Sequence, residues 1–252
     1  MEDQQRYHRH YILPQIGKEG QEKFRRSKVL IIGVGGLGCP VAMQLAAAGI
    51  GTIGLVDYDV VEASNLQRQV LYTERDLGKP KAECAARRLK EMNSECEVLV
   101  YPWKLTQENC VQLFAEYDII VDTTDNFDTR YLISDACVEL NKPHVYGAIY
   151  EFYGQVAILG GQGPCLRCLS DPERDPRQPI SARKVGVLAP VPGVIGSLQA
   201  CEVLKYIAGA GQCLTGSMIF LDMLTMQFDR VELSKNPRCP LCGNGGTQWK
   251  KN

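Results

Sequence analysis

The sequence has 252 residues, 45% apolar, 23% charged and 8% aromatic, the composition of a globular chain that can bury a full core without cross-links. Twenty-eight Lys and Arg against 29 Asp and Glu leave a formal charge of −1, without the basic excess of a nucleic-acid binder. No apolar run approaches the ~18 residues of a spanning helix, and MEDQQRYHRHY at the start has no hydrophobic signal core, so membrane insertion and export are not expected and a cytoplasmic protein is.

Residues 1–26 form an arm and helix ahead of the first strand, and Arg6, His8, Arg9 and His10 read there as solvated surface. KVLIIG (28–33) is a short apolar run ending in glycine, the mark of a strand buried on both faces. An Ala- and Leu-rich helix over 37–48 follows, closed by Gly49, and then the strand TIGLVD (52–57). The rhythm continues with a helix over 79–92, EVLVY (97–101), a helix over 107–117, DIIVD (118–122), a helix over 129–140 and HVYGAI behind Pro143, with His144 at a strand edge. YGQVAIL after Tyr153 alternates in the manner of a more exposed strand. The proline-dotted stretch 170–186 cannot build a core and reads as a surface loop. Val194, Leu198, Cys201, Leu204 and Ala208 repeat at helical spacing, SMIFLDM with TMQFDRVEL reads as a hairpin or meander, and the tail GNGGTQWKKN reads as frayed. The expected fold is α/β and Rossmann-like: one compact domain with a mostly parallel sheet, helices on both faces, and added antiparallel strands.

Gly33, Gly35, Gly36 and Gly38 fit G-x-G-x-x-G between the first strand and first helix. Such a turn lets the backbone approach a phosphate at a helix N-terminus. Asp57, ending the next strand, stands where an acidic residue meets a ribose hydroxyl. These features point to a nucleotide without separating NAD from ATP. Ser64-Asn65-Leu66-Gln67-Arg68-Gln69 and Lys81 offer cations suited to a polyphosphate, or else form an ordinary solvated loop; both readings stay open. Thr123-Thr124-Asp125-Asn126 follows a strand: Asp125 can hold Mg²⁺, or Asp125 or Asn126 simply caps the next helix.

Of 11 cysteines, four form the pairs Cys165/Cys168 and Cys239/Cys242. Two Cys-x-x-Cys knuckles supply a closed four-thiolate site for a structural zinc ion. The other seven (Cys39, Cys84, Cys96, Cys110, Cys137, Cys201 and Cys213) read as small buried hydrophobes. None of the three histidines has a neighbour in the sequence that suggests a charge relay.

Together RYHRHYILPQIG, VLIIGVGGLGCP, LVDYDVVEASNLQRQ, GKPKAE, DTTDN, CLRC, GVLAPVPGVIGSLQACEVLK and NPRCPLC resemble the ThiF/MoeB/HesA family, bacterial relatives of ubiquitin-activating enzymes, over nearly the whole chain. The resemblance implies an ATP-dependent adenylyltransferase that activates the C-terminal Gly-Gly carboxylate of a small ubiquitin-like sulfur carrier. It implies an ATP site of the glycine turn with Asp57, Asp59, Ser64 through Arg68, Lys81, Asp125 and Asn126. Arg68, Lys81 and Asp125, with Mg²⁺, would serve the chemistry. Arg9 would reach across a homodimer into the other copy's site, and Cys165, Cys168, Cys239 and Cys242 would hold zinc. Residues 27–150 become a nucleotide-binding half, and 151–246 a carrier-binding half with a crossover loop and the zinc site. Where the family commonly carries a loop cysteine this sequence has Ala182, which excludes a thioester or acyl disulfide there. With no room for a rhodanese-like domain, a separate sulfur donor is expected. The competing readings are an NAD-dependent oxidoreductase and a non-catalytic zinc-stabilised interaction module.

Overall fold

The computed structural model describes residues 3–170 and 186–244. Two short helices, α1 (Asp3–Arg6) and α2 (His8–Tyr11), lead into α3 (Gly17–Arg26). Then come β1 (Lys28–Ile32), α4 (Gly38–Ala48), β2 (Thr52–Val56), α5 (Lys81–Met92), β3 (Glu97–Tyr101), α6 (Gln107–Ala115), β4 (Ile119–Asp122), α7 (Phe127–Glu139) and β5 (Pro143–Tyr150). The second half holds β6 (Tyr153–Gly160), α8 (Leu166–Leu169), α9 (Pro190–Ala208), β7 (Ser217–Asp222) and β8 (Gln227–Glu232).

The eight strands form one sheet in the order β3-β2-β1-β4-β5-β6-β7-β8. The first five run parallel and the last three antiparallel, as the sequence predicts. One core cluster sets α4, α5 and α9 against one face through Val29, Ile31, Leu45, Ile53, Leu89 and Val203. The other face carries α6 and α7 over Leu30, Ile32, Phe114, Ile120 and Ile133. The strand order reverses between β1 and β4. In sheets of this kind the crevice at the carboxyl ends of those two strands is where ligands bind.

Four local readings are corrected. The β6 strand is buried along most of its length, because α9 covers one face and α7 with α8 the other. His144 is fully buried inside β5, its Nε2 3.2 Å from Asp122 Oδ2 on β4. The N-terminal arm is docked, with His8 and Arg9 exposed as expected: Tyr7 is buried with its hydroxyl accepting from Asn93 Nδ2 at 2.8 Å, Arg6 Nη1 donates to Met92 O, and His10 Nδ1 meets Gln21 Oε1 at 2.7 Å. Of the seven cysteines outside the knuckles, five are buried, Cys213 is half-buried and Cys201 is exposed. The expected surface loop, Ala182 within it, and most of the tail lie outside the described residues.

Candidate active site

The segments singled out in the sequence meet at the β1/β4 reversal. Gly33 takes a left-handed φ of 90°, which a side chain would strain. A Cβ on Gly38 would lie 2.1 Å from Gly33 O, so the turn closes only with glycine there. Asp57 fixes the turn from β2: its Oδ2 accepts from Val34 N at 2.7 Å and its Oδ1 from Asp59 N at 2.9 Å. Burial pushes the Asp57 pKa up despite these bonds and the charge of Lys81. Tyr72 Oη donates to Val34 O at 2.7 Å, so this one peptide is held on both sides. From β4, Thr123 Oγ1 donates to Ile32 O and Gly33 O.

The 64–69 loop lies over the turn. Arg68 Cδ and Gln69 Nε2 stand 3.6 Å from where a Cβ would project on Gly36 and Gly35 respectively. Asn65 is buried and its Oδ1 accepts from Glu62 N, while Leu66 packs half-buried on the core; Ser64 and Gln67 are exposed. Arg68 Nη1 donates to Ser64 O at 2.9 Å. Lys81, 7% exposed at the start of α5, places Nζ 3.1 Å from Asp59 Oδ2. Both cations are therefore anchored beside the turn rather than loose in solvent.

The β4–α7 connection divides its labour. Asn126 is the helix cap, its Oδ1 accepting from Thr129 N at 2.9 Å. Asp125 is exposed, and its carboxylate has no hydrogen-bond or ion-pair partner among the described residues. A free carboxylate at the carboxyl end of a parallel strand suits a hard cation such as Mg²⁺. Asp125 also opens onto a cleft of about 320 Å³ that runs along α7 to Tyr146, Ala148, Tyr150 and Tyr153. Arg130 and these tyrosines have no signal in the sequence, because the packing of α7 on β5 brings Arg130 to Tyr146 and the pairing of β5 with β6 sets Tyr150 beside Tyr153.

Arg9 is not at this site within its own chain. Its neighbour Tyr7 packs against Gly49, which closes the far end of α4 from the glycine turn. That helix is about 16 Å long at 1.5 Å per residue. His144 does have a carboxylate neighbour in Asp122, but both are 0% exposed and cannot reach a substrate. Nucleophilic relay chemistry gains no support from the pair.

The cysteine pairs come together although they lie far apart in the chain. Cys165 Sγ is 3.8 Å from Cys168 Sγ, 3.6 Å from Cys239 Sγ and 3.4 Å from Cys242 Sγ. All four sulfurs lie within 4.8 Å of one another. Tetrahedral Zn–S bonds of ~2.3 Å would set sulfurs about 3.8 Å apart, so the cluster fits zinc with no ligand position left open. Arg167 ties this knuckle to α7 by a two-point pair with Asp135, both contacts 2.8 Å, and Ser134 Oγ accepts from Leu166 N.

Residues 7–241 match the ThiF family. The chain is 48% identical to the sulfur carrier protein adenylyltransferase of Thermus thermophilus, the alignment covering 98% of this chain and 93% of that one. It is 42% identical to the SAMP-activating enzyme E1 of Haloferax volcanii, over 96% of this chain and 89% of that one. Among solved structures it resembles E. coli MccB with ATP, with a TM-score of 0.82 and 28% identity over 94% of this chain and 73% of that one. Among the described residues no helix is long and apolar enough to cross a membrane.

Proposed function

This chain belongs to the ThiF family and is an adenylyltransferase, and from that premise we propose that it binds ATP at the glycine turn and adenylates the C-terminal Gly-Gly carboxylate of a small ubiquitin-like sulfur carrier. The oxidoreductase and non-catalytic readings fall with the family assignment. The observation that carries the proposal is the meeting of three segments at the carboxyl ends of β1 and β4: the glycine turn, the Arg68 loop, and the connection bearing Asp125, unpartnered among the described residues.

In this reading a carrier carboxylate oxygen attacks the α-phosphorus, a new O–P bond forms, and the bond to pyrophosphate breaks. The attacking carboxylate is already ionised near neutral pH, so no general base is required. Arg68 and Lys81 lie where they would balance charge on the phosphates, with Arg9 supplied by a second copy of the chain in a homodimer. Asp57 and Asp59 border the ribose, and Ser64 through Arg68 with Asn126 flank the nucleotide. Asp125 would hold Mg²⁺, which when bound neutralises phosphate charge and orients the leaving group. Cys165, Cys168, Cys239 and Cys242 would hold zinc and fasten the second half of the chain.

The carrier would lie on the open face of the antiparallel extension. Directly paired residues share a sheet face. Tyr150, Tyr153, Phe220 and Val231 therefore fall on the side of the cleft, each more than a third exposed. That face leads a tail past Ala148 toward Asp125. Sulfur would come from a separate donor in the cytoplasm, with Ala182 carrying no covalent intermediate.

The decisive measurement is carrier-dependent exchange of labelled pyrophosphate into ATP. Exchange is expected with a cognate carrier and is expected to fall by two orders of magnitude or more in Asp125→Ala. Absence of exchange with every Gly-Gly carrier tried would refute the reading.

A further inference from the structure

Arg130, in the first turn of α7, is a buried cation that no carboxylate of the described residues pairs with. It is 6% exposed. Its Nη1 donates to Tyr146 Oη at 3.1 Å and its Nη2 to Thr124 O at 2.7 Å. The guanidinium carbon lies 5.4 Å from the ring centre of Phe127 and 5.3 Å from that of Tyr146. All of these partners are neutral. Its Nε is buried with no acceptor, and among the described residues no carboxylate stands within ion-pairing distance. Two other arginines show what is missing: Arg87 is paired with Asp76, and Arg167 with Asp135. Asp122 senses the charge through space, but its oxygens serve His144 and Thr124.

A buried guanidinium served only by neutral acceptors keeps a desolvation cost that an anion offsets. Arg130 and Asp125 are the two charged residues among those lining the cleft. The carbonyl that Arg130 grips, Thr124 O, immediately precedes Asp125. The cation is thus locked by hydrogen bonds and two rings where the cleft approaches the acidic side chain.

We propose that Arg130 determines specificity for a ligand with a free C-terminal carboxylate, drawing that anion along the cleft toward Asp125 and discriminating against a neutral or extended chain end. This rests on the adenylation reading for the site's use but concerns binding alone. The remaining lining, small at Ala148 and aromatic at Tyr150 and Tyr153, fits an extended peptide rather than a bulky head group.

The test uses two synthetic peptides of one sequence ending in Gly-Gly, one with a free carboxylate and one with a C-terminal amide. Their binding to the full chain is measured by calorimetry. The acid is expected to bind about tenfold or more tighter than the amide, the scale of one charge-assisted contact. Arg130→Gln is expected to bring the ratio near one with ATP affinity unchanged, and Arg130→Lys to keep part of the preference. If Arg130→Gln melts early, Arg130→Lys and Tyr146→Phe, which removes one anchor and keeps the cation, carry the comparison. No acid preference in the wild type, no measurable binding of the acid peptide, or a full preference in the folded Gln variant would each overturn the proposal. Pyrophosphate exchange run in parallel separates the two readings. Exchange without acid preference sinks the role of Arg130 alone, whereas acid preference without exchange sinks the adenylation chemistry and leaves Arg130 standing.

Discussion

Asp57 and Asp76 are carboxylates that work on their own backbone, and their environments push them in opposite directions. In Asp57 burial prevails and the pKa rises. Asp76 is 2% exposed, and burial there also resists ionisation, but Thr73 N–H, the Arg87 guanidinium and the Thr73 hydroxyl outweigh it and hold the pKa at about 2. A carboxyl lowered on folding adds stability above its unfolded pKa of about 3.9, and that contribution disappears as pH falls through the folded value. The stability gap between wild type and Asp76→Asn should therefore be constant from pH 7 to about 5 and close between about 4 and 2. Denaturant titrations across that range check it. The sequence exposes Asp57, because its distance from the glycine turn is a motif. It hides Asp76 and Arg130, whose roles depend on burial, and it misplaces His144, since one residue beside a proline cannot reveal a carboxylate on the neighbouring strand.

At the level of elements, α7 joins two sites. Its N-terminal end carries Asn126 and lines the cleft through Phe127 and Arg130, while farther along Tyr131, Ser134 and Asp135 grip the cysteine knuckle. The Cys-x-x-Cys spacing made the four-sulfur cluster readable in advance. The Arg167–Asp135 clamp was not, because a charged pair across two helices has no spacing rule. Asp135→Asn should release zinc to a chromophoric chelator several-fold faster than wild type and lower the melting temperature, as loss of support around a metal ligand set does. Removing zinc altogether should lower it further, with scanning calorimetry as the measure. The burial of β6 escapes the sequence for a related reason. Alternation in YGQVAIL reports one wet face, but helices cover both, and the side chain of Gln199 fills the space a Cβ on Gly147 would need.

For the molecule as a whole, the alternation of strands and helices was enough to foresee the parallel half and its antiparallel extension, since crossover connections allow few arrangements. It could not place Arg9, whose position depends on how the arm docks at the far end of α4. If Arg9 serves a second copy, then mixing Arg9→Ala with Asp125→Ala protein should restore pyrophosphate exchange to about a quarter of the wild-type rate at equal mixing. This follows because half of the chains pair as hybrids, and each hybrid has one intact site. No recovery from dimeric mixtures would place Arg9 outside the chemistry. The unbroken sheet has a further effect. With neighbouring strands fixed about 4.8 Å apart and each residue of an extended tail advancing about 3.3 Å, the distance from the open face to the glycine turn is a ruler without a joint. On the proposed adenylation, a guest tail one residue too short would stop a full step from the phosphorus, so reach, as much as affinity, would decide which proteins can be served.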